Sequence, residues 1–274
     1  MPRFPSPVRL ELATRARSDD TASMPPLVPV RRRIVAVLYG IACHGLFLAG
    51  VGAMVVGLYF GLTLGRGPFH GPWAALVNVL LVGQFPLLHS YLLSASGRRW
   101  LRMLAPRELA VDLETTVFAA ISSLQLLLFF VLWSPSGKVW WEPQGGALVA
   151  HSVLFAGAWL FLGKALADAG LPLQSGALGW MAVFRGEAPR FDGFPTHGLF
   201  RYLRQPIYLG FALTLWTAPV WTPDRLALAI AWSAYCFVGP RFKEARYRRY
   251  YGEAFDRYRE RVPYLLPLRR QRRA

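Results

Sequence analysis

The chain has 274 residues, 54% of them hydrophobic, with a mean hydropathy of +0.31. A soluble domain of this size is usually less apolar, so composition argues against an ordinary globular enzyme and for an all-α, polytopic membrane helical bundle. The formal net charge is +16; the arginines crowd the segments between apolar runs, so the expected partner is anionic membrane lipid and not nucleic acid.

In chain order, the first 30 residues are polar and contain acidic Glu11, Asp19 and Asp20. No small-residue cleavage site ends the apolar run that follows them, so they do not read as a signal peptide. The expectation for 1–30 is a disordered cytoplasmic tail, with 31–274 forming one membrane domain. Apolar runs over 34–62, 73–93, 113–133 and 147–167 each approach or exceed the ~20 residues that cross a bilayer. Two shorter runs follow, 207–221 and 226–239, joined at Thr222, Pro223 and Asp224, where Pro223 is expected to end one helix and Asp224 to cap the next. They read either as two thin spans or as a re-entrant hairpin, giving about five to six transmembrane helices. From 242 to 261, Tyr247, Tyr251, Phe255 and Tyr258 recur at helical spacing among arginines. This predicts an amphipathic C-terminal helix, either lying on lipid or serving as a lid over a cytoplasmic site.

Lysine and arginine mark the sides. The N-terminal segment holds 7, 63–72 holds 1, 94–112 holds 4, 134–146 holds 1, 168–206 holds 4, 222–225 holds 1, and the chain from Arg241 onward holds 12. The alternation puts both termini in the cytoplasm by the positive-inside rule. Arginine outnumbers lysine 28 to 3, a bias expected of a GC-rich bacterial genome, so the expected location is a bacterial inner membrane. Cys43 and Cys236 lie inside apolar runs without a paired framework, which supports neither a disulfide nor a zinc site.

Ionisable groups inside apolar runs are expensive and tend to be functional. His89, Glu114, Lys164, Asp168, Arg201, Arg204 and Glu244 come from distant parts of the chain, and the topology puts them at one membrane face. Each also has a plainer role: His89 as a donor to a neighbouring helix, Glu114 in a first helical turn, Lys164 snorkelling to headgroups, Asp168 ending a helix. The stretch RYLRQPIYLG at 201–210 starts a helix at Pro206. Free amides at that start, with Arg201 and Arg204, would suit a carboxylate or phosphate; the plainer role for both arginines is to bind headgroups.

GLFRYLRQPIYLG at 198–210 and KEARYRRYYGEAFDRYRERVPYLLP at 243–267 together resemble the C-terminal signature of integral-membrane methyltransferases. That superfamily includes the isoprenylcysteine carboxyl, phospholipid and methanethiol S-methyltransferases. HSYLL at 89–93, ETTVF at 114–118 and the run 126–141 resemble the methanethiol group most. Arg204, Pro206, Tyr208 and Gly210 match the first motif. Glu244, Gly252, Tyr258, Val262, Pro263 and Pro267 match the second. The resemblance implies S-adenosyl-L-methionine as cofactor, held within about 168–267 by Arg201, Arg204, Gln205, Tyr208, Gly210, Glu244, Tyr247 and Tyr251. It implies catalytic roles for Arg204 and Glu244, with His89 as base for a small thiol acceptor. Two positions depart from the pattern: Gln205 replaces a histidine and Lys243 the first of two glutamates. They leave open an active enzyme and a non-catalytic protein of the same fold. An isoprenylcysteine carboxylate and a lipid amine stand as alternative acceptors.

Overall fold

The computed structural model describes residues 28–266. Residues 1–27, most of the expected tail, and Pro267 lie outside the described residues. Among the described residues, four helices are long and apolar enough to cross a membrane: α1 (Val30–Tyr59), α2 (Gly71–Leu92), α4 (Glu114–Leu132) and α5 (Gly145–Asp168). They match the four long apolar runs to within a few residues. Between and after them come α3 (Ala95–Met103), α6 (Leu171–Gln174), α7 (Ala177–Arg185), a 3-10 turn (Gly198–Arg201), α8 (Pro206–Thr217), α9 (Pro223–Tyr251) and α10 (Glu253–Arg261). The fold is an all-α polytopic membrane bundle.

α1 packs along α4, with α7 against α1 and α2 beside α4, while α5 packs on α8 and α8 on α9. Small residues set the closest approaches. A Cβ on Gly50 of α1 would meet the Ser123 carbonyl oxygen of α4 at 2.5 Å. A Cβ on Gly210 of α8 would stand 3.0 Å from Leu162 Cα of α5. Around these contacts Met54, Leu58, Phe129, Phe155, Leu215 and Trp232 form the main core. Polar groups inside the bundle pair with each other. Gln125 Nε2 donates to Gln84 Oε1 at 2.8 Å, and Asn78 exchanges hydrogen bonds with Ser134 at the end of α4. The outward-facing surface is rich in Leu, Val and Phe, as lipid requires.

The first arm of the hairpin is short, as the sequence reading expects, and the difference from that reading lies in its turn. α8 has 12 residues, about 18 Å, well short of the ~30 Å hydrocarbon core. Pro223 begins α9 instead of ending α8, because its missing N–H costs nothing at a first helical position. Thr222 is the cap, accepting from Arg225 N at 3.0 Å, while Asp224 reaches across to Ser136 N at 3.0 Å. Arg225 is fully buried. It donates to the Leu215 and Val220 carbonyls and lies 3.9 Å from the Trp221 ring centroid, so it closes the hairpin by satisfying the end of α8.

The single amphipathic helix expected over 242–261 is two helices. α9 runs on to Tyr251, and Gly252 then breaks it at φ 51 and ψ −131, a conformation that glycine tolerates and side chains resist. α10 folds back so that Tyr247, Tyr251, Phe255 and Tyr258 gather around Phe194, with ring centroids 5.0–6.0 Å from it.

Candidate active site

The start of α8, the end of α9 and the strap after α10 meet in one knot. The strap supplies backbone partners: Arg204 N donates to Pro263 O at 2.9 Å and Gln205 N to Tyr264 O at 3.1 Å. These two amides, which precede the helix that starts at Pro206, are therefore occupied. The 3-10 turn is held from two sides. Tyr258 Oη donates to Phe200 O at 2.8 Å, and Leu199 N donates to Asp168 Oδ2 at 2.8 Å.

At the centre lies Glu244. Its Oε1 accepts from Arg204 Nε and from Gln205 Nε2, both at 2.8 Å. Its Oε2 faces Arg204 Nη2 at 3.4 Å and Arg259 Nε at 3.6 Å. Arg204 also donates through Nη1 to the carbonyls of Arg259 and Val262, at 2.9 and 2.7 Å. The Arg204 and Glu244 side chains are only 10% and 11% exposed. A charge removed from water to that degree needs such a full set of partners. In this geometry Arg204 and Glu244 satisfy each other and tie α8, α9 and the strap together.

Gln205, 2% exposed, bridges opposite charges. Its amide nitrogen donates to Glu244, and its Oε1 accepts from Lys243 Nζ at 3.3 Å. Nζ also lies 5.9, 5.6 and 5.5 Å from the ring centroids of Phe200, Tyr208 and Tyr247. Burial pushes the Lys243 ammonium down to about 8, with Glu244 opposing that shift and Arg246 adding to it. The two departures from the family pattern therefore touch each other. Position 205 carries a group that donates to a carboxylate on one side and accepts from an ammonium on the other.

Two spaces adjoin the knot and share Phe194 and Tyr258. One is a cavity of about 10 Å³ beside Gln205, Lys243 and Tyr247. The other is a groove of about 580 Å³, where Arg201, Arg257 and Arg261 flank Thr196. Of the sequence-derived site residues, Arg201 reaches the groove; Arg204, Gln205 and Tyr247 line the cavity; Glu244 braces it; and Tyr251 stands in the aromatic cluster. Gly210 instead packs on Leu162 of α5. His89 lies on α2 with Nδ1 3.1 Å from Ser122 Oγ, between the Phe85 and Phe118 rings. Glu114 pairs with Arg102 at 2.6 Å, and Lys164 pairs with Asp168. His89 and Glu114 thus bond to partners outside the knot, whereas Asp168 joins it through Leu199 N. Sequence reading missed Phe194, Phe200 and Arg259; the nearest signal was the recurrence of aromatics in 242–261.

No family model matches the chain, and no solved structure does. Curated proteins do match. Over 251 residues the chain is 30% identical to methanethiol S-methyltransferase 1 of Bradyrhizobium diazoefficiens, covering 87% of this chain and 84% of that protein. The chain belongs to the methanethiol S-methyltransferase family. Two further members are methanethiol S-methyltransferase 2 of the same organism, 31% identical over 197 residues (71% of this chain and 73% of that protein), and the Mycobacterium tuberculosis methanethiol S-methyltransferase. The latter is 28% identical over 244 residues, 86% of this chain and 97% of that protein. The protein is accordingly a methyltransferase, and the knot of its two signature segments is the candidate methyltransferase site.

Proposed function

We propose that this methyltransferase is an integral protein of a bacterial inner membrane. In this reading it moves the methyl group of S-adenosylmethionine to a small thiol, with methanethiol the favoured acceptor, on the cytoplasmic side. The observation that carries the reading is the agreement with bacterial proteins of that name over most of their length. The four apolar helices support membrane insertion, and the asymmetric distribution of arginine supports the orientation.

The residues present suit the cofactor's chemistry. A groove of about 580 Å³ falls within the range of small-molecule sites, roughly 300–1,000 Å³. Arg201 and its neighbours Arg257 and Arg261 suit a carboxylate. The rings of Phe194 and Tyr258, which line the groove, suit a sulfonium, an attraction of about 0.5–2 kcal/mol. Arg204, Gln205 and Glu244 would hold this wall in shape. S-adenosylmethionine supplies an electrophilic methyl carbon. The protein's tasks are to align the acceptor with it, to exclude water and to take the acceptor's proton.

The test uses full-length protein purified in detergent, given S-adenosylmethionine and methanethiol, with dimethyl sulfide measured in the headspace. Cofactor binding is measured in parallel by calorimetry. Product formation is expected. Binding without product from any thiol would retire the acceptor assignment, and no binding at millimolar cofactor would retire the whole reading.

A further inference from the structure

A thiol methyltransferase needs a group to take the acceptor's proton, because a cysteine-like thiol with a pKa near 8.5 is largely protonated at neutral pH. The groups beside the small cavity differ in what they can do with a proton. Arg204 stays charged and Gln205 does not titrate. Burial pushes the Tyr258 phenol up and the Tyr247 phenol up to about 12, so neither is a phenolate near neutrality. Glu244 stands behind the wall, its Oε1 already taken by Arg204 and Gln205. His89 belongs to another set, on Ser122. Lys243 remains. It lines the cavity, its Nζ is held by Gln205 Oε1, and three ring faces surround it.

We infer that the acceptor presents its S–H group to Lys243 at this cavity, with the rest of the acceptor outside it, and that Lys243 is the catalytic base that generates the thiolate there. This rests on the proposed thiol-methyltransferase reading and deepens it. In the step, the thiol S–H bond breaks, the proton bonds to the lone pair of neutral Nζ, and the electron pair stays on sulfur. The new ammonium donates to Gln205 Oε1 and is attracted by the rings of Phe200, Tyr208 and Tyr247. The thiolate is thereby formed beside a fixed cation, and Nζ releases its proton to water once the neutral product has left. Gln205 has a specific part here: a neutral side chain that accepts from Lys243 while donating to Glu244 keeps the lysine from simply pairing with the carboxylate.

Lys243 is neutral at a useful fraction because burial pushes its ammonium down to about 8. The charged and titratable groups facing it are Glu244, Arg246 and Tyr247 from its own helix, Arg204 and Tyr208 from the start of α8, and Tyr258 from α10. The methylation rate should therefore climb with pH and level off above about 8.

The experiment compares wild type, Lys243→Met and Lys243→Arg as full-length proteins. Acceptors are methanethiol and methaneselenol, the latter already ionised at neutral pH. A second readout needs no cofactor: the ultraviolet thiolate band when methanethiol is added to protein alone. For both variants the methanethiol rate should fall about 100-fold or more, the usual contribution of a general base. Their selenol rates should fall far less, and in Lys243→Met the thiolate band at neutral pH should vanish. Equal thiolate bands and equal methanethiol rates in wild type and variants would overturn the role of Lys243 alone. So would equal losses on both acceptors, which would make the lysine structural. A wild type that methylates neither acceptor despite binding cofactor would overturn the functional reading, and this inference with it.

Discussion

Arg204 shows how one side chain can look like a ligand-binding group in sequence and serve as a fastening in structure. Its guanidinium has five donor hydrogens in a rigid fork, and here Nε, Nη1 and Nη2 are committed to Glu244, to one carbonyl of α10 and to one of the strap. Because the pair is nearly buried, removing either partner leaves the other charge without compensation. Arg204→Ala and Glu244→Ala should each cost about 3–5 kcal/mol of stability, seen as a large drop in melting temperature in detergent. The double variant should cost less than the sum, since the groups share one interaction. Additive losses would mean that the two side chains act independently. Arg204→Lys should also destabilise, because one ammonium cannot span the same acceptors. The identity of Arg204 and Glu244 as special residues was legible from the two signature segments. Their partnership was not, because the residues are 40 positions apart and both were assigned to the cofactor.

At the scale of helices, close approach is set by a few residues without side chains, and this makes a controlled comparison possible within α1. Gly50 lies against the Ser123 carbonyl, whereas nothing lies within 4 Å of a Cβ built on Gly52. Gly50→Ala must push α1 off α4, at a cost of about 1–3 kcal/mol for overpacking. Gly52→Ala should be neutral or stabilising by up to about 1 kcal/mol, since alanine favours helix more than glycine does. Thermal melting of the two variants side by side checks this, and an equal effect at both positions would show that α1 does not pack as described. The long helices were readable because lipid imposes a plain rule, ~20 apolar residues in a row. α3 and α7, nine residues each, were missed because they obey no such rule. α3 instead depends on local signals, including Ser94 accepting from Gly97 N at 3.1 Å. Gly252 was matched to the second signature, but its positive φ, which turns one amphipathic helix into two, is a backbone property that residue periodicity does not report.

For the molecule as a whole, the constraint is which ends share a side. The contact of Arg204 with Glu244 at 2.8 Å requires the start of α8 and the end of α9 to meet at one face. α8 is too short to cross a bilayer while α9 has 29 residues, so the pair is an unequal hairpin whose closed end is locked by buried Arg225. At the other side of the bundle, the segment after α4 joins that closed end through reciprocal bonds between Trp141 and Trp221, at 3.2 and 2.8 Å. The proposed orientation puts the knot in the cytoplasm and this tryptophan contact toward the periplasm. Exposed positions on each side allow a direct check by single cysteine substitution, because native Cys43 and Cys236 are buried and should stay silent to an impermeant maleimide. Tyr202→Cys and Arg248→Cys should label only after the membrane is opened. Arg66→Cys and Lys138→Cys should label in intact spheroplasts. The reverse pattern would invert the protein without disturbing its fold. Labelling of Tyr202→Cys and Arg248→Cys from opposite sides would be far more damaging, since no single site could then join the two signature segments. A methyl donor made in the cytoplasm can reach the groove beside Arg201 only if that groove opens inward, so the expected labelling pattern is also what the proposed reaction requires.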